Sequence, residues 1–82
     1  MEGFVQVRLE NDTTWEPVLK DTSFDEDVVK DFCRSHPEYY FYKVKLDGFC
    51  ELYVEILNAD NSISKYEVYI DQFHTFFITK VQ

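Results

Sequence analysis

Few residues in this chain have the types and spacing that support chemistry. The side chains that titrate near neutrality are two histidines, His36 and His74. Nucleophilic catalysis needs a thiol or hydroxyl beside such a base. Cys33 precedes His36 by three positions at the end of a predicted helix, but the helix turns Cys33 inward. The helix dipole already accounts for a His at that end. The pair is therefore read as structural, and no catalytic residue is assigned. His74 alternates with strand neighbours and is placed at the surface. Asp25, Glu26 and Asp27 are consecutive, and consecutive helical residues point in different directions, so they do not converge on a metal. Asp60 and Asn61 lack the spacing of a calcium loop. With only Gly3 and Gly48 present, a glycine-rich phosphate loop is excluded. No metal, no cofactor and no small-molecule substrate is expected.

The aromatic block Tyr39-Tyr40-Phe41-Tyr42 invites a base-stacking reading. Charge argues against it. Sixteen acidic and eight basic side chains leave a net charge of −8, which repels phosphate backbones, so no nucleic-acid partner is expected. The block is better used as core and cross-strand packing. Acidity of this size keeps a β-rich domain soluble, or complements a basic protein surface. Cys33 and Cys50 form no CxxC motif and sit on apolar faces, as reduced core residues of a cytoplasmic protein do. No basic start leads into an apolar run, so no signal peptide is expected, and no apolar stretch reaches the length of a membrane helix.

The elements that position these residues follow from periodicity. Phe4–Glu10 alternates, with Val5, Val7 and Leu9 on one face, and reads as a half-buried strand. Asn11-Asp12 is a turn pair, and Thr13–Leu19 is a second strand, placed at a sheet edge by Pro17. Ser23 and Glu26 fit a capping box for a helix over Phe24–Ser35, whose Phe24, Val28, Val29, Phe32 and Cys33 share one face. Pro37 ends it. Tyr39–Lys45 and Cys50–Leu57 read as strands joined by Leu46-Asp47-Gly48, with Gly48 at a left-handed position. In that hairpin Lys43 faces Glu51, and Tyr40, Tyr42 and Val44 share a face with Cys50, Leu52 and Val54. Ser64–Ile70 is a further possible strand, with Tyr66, Val68 and Ile70 inward. Phe73–Val81 is apolar on both faces, as a central or covered strand is. At 82 residues the chain is one α+β domain. The order favours a ubiquitin-like β-grasp: a mixed sheet of four to six strands, one main helix, and the last strand central. The alternative is an antiparallel meander with a helix on one face.

One stretch carries a family likeness. Tyr39-Tyr40-Phe41-Tyr42-Lys43-Val44 leads through Asp47 and Phe49 to Cys50, Leu52, Tyr53, Glu55 and Leu57. It resembles the middle of a DIX domain, the ubiquitin-like module of Axin and Dishevelled, and is closest to the Axin type. Phe76-Phe77-Ile78-Thr79-Lys80-Val81 resembles the closing strand. Trp15-Glu16-Pro17-Val18 departs from the family's second strand. The resemblance implies a non-enzymatic module that self-associates head-to-tail and recruits homologous DIX-type domains, as Wnt-pathway scaffolds do.

Two unlike sheet edges would make that contact. Trp15, Glu16 and Val18 are the expected interface residues on one edge, and Glu51, Tyr53 and Glu55 on the other, with Arg8 or Lys20 meeting the carboxylates. Pairing of Ser64–Ile70 with Cys50–Leu57 would cover the second edge. A reading from another class is a small acidic inhibitor, of the phage anti-defence or immunity type, that masks a basic site on its target.

Overall fold

A computed structural model describes residues 3–21 and 24–81. Five strands form one sheet: β1 (Phe4–Leu9), β2 (Glu16–Leu19), β3 (Phe49–Leu57), β4 (Ile63–Asp71) and β5 (Phe76–Val81). Their order is β2-β1-β3-β4-β5. Between β2 and β3 come α1 (Asp25–Arg34), a 3-10 turn over Pro37–Tyr39, and α2 (Phe41–Asp47). The helices lie on one face of the sheet, and the core is the layer between. Among the described residues no helix is long and apolar enough to cross a membrane.

Helix α1 forms for the reasons its sequence states. Asp25, Glu26 and Asp27 occupy the first turn, where the dipole favours negative charge, and Arg34 the last. Val28, Val29, Phe32 and Cys33 are buried on one stripe, but Phe24, expected to share it, precedes the first helical turn and is 66% exposed. The Ser35 hydroxyl donates to the Asp31 carbonyl at 2.9 Å as the helix ends ahead of Pro37. The capping role expected of Ser23 lies outside the described residues.

Strand parity also holds. Cys50, Val54 and Ile56 of β3 and Tyr66, Val68 and Ile70 of β4 are buried, with Val7 of β1, against Val28, Val29 and Phe32. Pro17 lies in β2 at a sheet edge, where a missing N–H breaks no ladder.

Three expectations are corrected. The sheet is antiparallel in every described pair, not mixed. The last strand, β5, is an edge strand paired with β4 alone. It is apolar on both sides because Phe76 and Ile78 pack on the core while Phe77 faces outward.

The third concerns residues 39–45, which are helical and form no hairpin with β3. Tyr40 and Val44 are buried and stand four residues apart, a spacing that fits one helix face as well as alternate strand positions. Tyr42, which a strand would bury with them, is 73% exposed. Lys43 pairs with Asp47 at 2.7 Å, one helical turn on, and not with Glu51. Gly48 does have positive φ, +84°, but as the left-handed residue that ends α2.

Candidate protein-binding face

No helix covers the second face of the sheet among the described residues. The register decides what it displays. Phe49, Glu51, Tyr53, Glu55 and Leu57 of β3 project there, because the alternate residues Cys50, Val54 and Ile56 project into the core. The pairs Glu51–Tyr69 and Tyr69–Phe77 put three strands side by side at one end. Phe49 stacks on Tyr69, with centroids 5.6 Å apart and planes 14° from parallel. Tyr69 meets Phe77 at 6.1 Å and 54°. This ladder of three rings is partly exposed along its whole width. Contiguous exposed aromatic area of this kind makes the ladder the candidate site.

The middle of the face is charged and internally paired. Arg8 stands opposite Glu55 across β1 and β3, and its Nε donates to Glu55 Oε1 at 2.9 Å. The same guanidinium lies 4.1 Å from the centre of the Trp15 ring. Lys65 pairs with Glu10 and lies 5.1 Å from the centre of the Tyr53 ring. Its hydrogen bond to Glu10 raises its pKa. Tyr53 donates its hydroxyl to Glu67 at 3.3 Å, and the Glu67 charge raises the phenol pKa. Both cations of this face, Arg8 and Lys65, are thus engaged by its own carboxylates. Glu51 has no ion pair among the described residues, so the end that carries the aromatic ladder is left negative.

The expected interface residues divide between the two faces. Trp15, Tyr53 and Glu55 come together on the open face through Arg8 and Lys65, and Glu51 joins them there. Glu16 and Val18 lie on the helix side: Val18 packs against the core, and Glu16 Oε1 lies 2.7 Å from His36 Nε2. The second edge expected for self-association is interior, because β4 pairs with β3 along its full length. Glu51, Tyr53 and Glu55 therefore belong to a face and not to an edge.

Cys33 is wholly buried, and burial pushes its thiol up to about 12. Burial also raises Cys50. His36 does not engage either thiol. Burial would lower its pKa, but hydrogen bonds to Glu38 (3.0 Å) and Glu16 outweigh this and raise it. The imidazole also stacks on Tyr39, 4.7 Å between centroids, and so ties β2 to the turn after α1. His74 has φ of +60° in the β4–β5 turn, where the Asp71 carboxylate accepts from the Phe73 and Thr75 N–H groups, each at 2.9 Å.

Sequence reasoning missed one polar cluster. Asp25 accepts from Lys20 Nζ and from the Tyr66 hydroxyl, both at 2.8 Å. Burial would raise the Asp25 pKa, but these two bonds lower it; burial and Asp25 together push Tyr66 up to about 12. Nothing local signals a contact between residues 41 positions apart. The aromatic ladder was also missed, although the inward placement of Tyr66, Val68 and Ile70 already turned Tyr69 outward.

Searches against protein-family models, curated proteins and solved structures find no match to this chain.

Proposed function

We propose that this domain acts by binding, and that the open face of its sheet receives a basic surface of a partner protein. The observation that carries the reading is the Phe49–Tyr69–Phe77 ladder, uncovered among the described residues and bordered by the unpaired carboxylate of Glu51. Desolvated aromatic anchors supply most interface affinity, and surrounding charge supplies steering and partner choice. On a chain of net charge −8 that partner is positively charged. In this reading the protein masks a basic site on its target, with no cofactor, substrate or catalytic step of its own. The proposed setting is the cytoplasm, where Cys33 and Cys50 stay reduced.

Affinity capture followed by titration of the purified partner tests the proposal. The double variant Tyr69→Asp/Phe77→Asp should weaken binding by about a hundredfold, the effect of losing a hot spot. An Asp31→Asn change on the exposed side of α1 should leave it unaltered. A partner that is not basic, or one that binds the double variant as well as the parent, overturns the reading.

Head-to-tail self-association, the role implied by the DIX resemblance, is the second reading. Its support is the pair of unlike free edges, β2 and β5, on opposite sides of the sheet. The ubiquitin-like grasp belongs to this reading as well. The helical conformation of residues 37–47 and the antiparallel pairing of β5 weigh against both. Light scattering across a concentration series separates the two readings, since mass grows with concentration only in the second.

A further inference from the structure

The two neighbours of β3 do not run its full length. β4 pairs with it from Phe49 to Leu57, whereas β1 ends at Leu9, opposite Val54. The last cross-strand bond on the β1 side runs from the Glu10 N–H to the Tyr53 carbonyl, 3.0 Å. The chain then turns away, with the Asp12 N–H donating to the Leu9 carbonyl at 3.0 Å. Alternate residues of a strand aim their backbone groups at the same neighbour. Tyr53 aims at β1, so Glu51 does too, and there it finds no backbone partner among the described residues. Its carbonyl receives only a long contact from the Cys50 thiol, 3.9 Å.

A cleft of about 410 Å³ occupies this gap. Leu9, Leu52 and Tyr53 give it apolar walls, and Glu10, Asp12 and Glu51 line its rim. Lys65, already paired with Glu10, is the one cation in ion-pair contact with those three carboxylates among the described residues.

We propose that this gap receives an extended basic segment of the partner protein, added as a short strand beside Phe49–Leu52. The inference rests on the basic-partner reading above and adds the mode of docking. Phe49 and Glu51 face this side with their backbone groups in the Phe49–Leu52 stretch, so an added strand of four residues spans roughly 13 Å at about 3.3 Å per residue. The segment continues the line of β1. Its residue opposite Glu51 occupies the place that Arg8 holds opposite Glu55, on the same face of the sheet. Arg8 shows what fits there: a guanidinium bonded to the cross-strand carboxylate and laid against a ring. A partner arginine opposite Glu51 repeats that pairing, with Phe49 and Tyr53 as the rings within reach. Backbone bonds to Glu51 hold the segment, and the acidic rim selects its charge.

The probe is the acetylated, amidated peptide Val-Arg-Val-Arg-Val, titrated into the whole isotope-labelled chain. The Glu51 backbone amide proton should move downfield and exchange with solvent about tenfold more slowly, as a newly bonded amide does. Methylating the central backbone nitrogens of the peptide should abolish the effect. Glu51→Arg, at an exposed position, should keep the parent melting temperature and weaken the peptide by about tenfold or more. An unmoved Glu51 amide, equal binding of the methylated peptide, or equal binding to Glu51→Arg overturns the proposal. If those results occur while a basic partner still depends on Tyr69 and Phe77, the docking mode fails and the proposed function stands. If the Glu51 amide responds but no partner depends on the ladder, the proposed function fails and the gap remains a strand-binding site.

Discussion

The two faces of this one sheet are built by opposite rules. The covered face is mostly aliphatic: Val7, Val54, Ile56, Val68 and Ile70 are fully buried. The open face is aromatic and charged, with Arg8 and Lys65 each bound by a neighbouring carboxylate and the rings left part-exposed. The same strands make both, since successive residues point to opposite sides. On the proposed reading, stability resides on the covered side and binding on the open one. Aliphatic packing on the covered side holds the fold, and the open side is free to be chosen for what it meets.

Matched truncations on the two faces should differ most. Phe32→Ala empties a fully buried site and should cost about 3–5 kcal/mol, close to the whole stability of so small a domain. Phe77→Ala, at a ring 53% exposed, should cost under about 1 kcal/mol. Chemical denaturation of both variants measures the gap; equal costs would mean that the open face also carries the fold.

A smaller effect is expected where the covering layer joins the sheet. Gly48 ends α2 at φ +84° and hands the chain to β3. An added Cβ meets no atom within 4 Å, so the penalty is conformational and not steric contact. Gly48→Val should lose about 1–2 kcal/mol, because a β-branched residue is strained in that region. An unchanged melting temperature would show that α2 is not tied to β3 through this turn.

The smallest effect concerns the seam between β2 and the helix layer. His36 has a pKa raised above 6.5 through Glu38 and Glu16. A raised folded value stabilises fully below the ordinary value and is lost as pH climbs through the raised one. Stability should therefore fall as pH rises from below 6.5 through the raised value, by no more than about a few tenths of a kcal/mol, since exposed carboxylates are screened. In His36→Gln that slope should vanish. A parent whose stability is flat over this range would separate the seam from the fold.

Much of the covered face was legible in the sequence. The α1 stripe from Val28 to Cys33, the parity of Cys50, Val54 and Ile56, the inward Tyr66, Val68 and Ile70, and the edge position of Pro17 all follow from local periodicity and from one missing N–H; Phe24 does not, because it lies before the helix. Residues 39–45 were not legible. Tyr40 and Val44 satisfy a period of two and a helical repeat equally, and only their burial against the rest of the fold chooses. The candidate site was half legible: outward parity named Tyr53, Glu51 and Glu55, but as an edge. Nothing local could say that β4 pairs along all of β3.

Short-range physics therefore wrote into the sequence which side of each strand is apolar, where α1 lies, and a surplus of negative charge. Adjacency came from the assembled fold alone. Val7 meets Ile56 across 49 positions, and β3, β4 and β5 lie side by side so that Phe49, Tyr69 and Phe77 touch. Such neighbours are fixed by the joint satisfaction of backbone hydrogen bonds and buried area over the whole sheet. No window of sequence contains both partners, so no local pattern encodes the ladder, or the gap beside Glu51 where β1 stops.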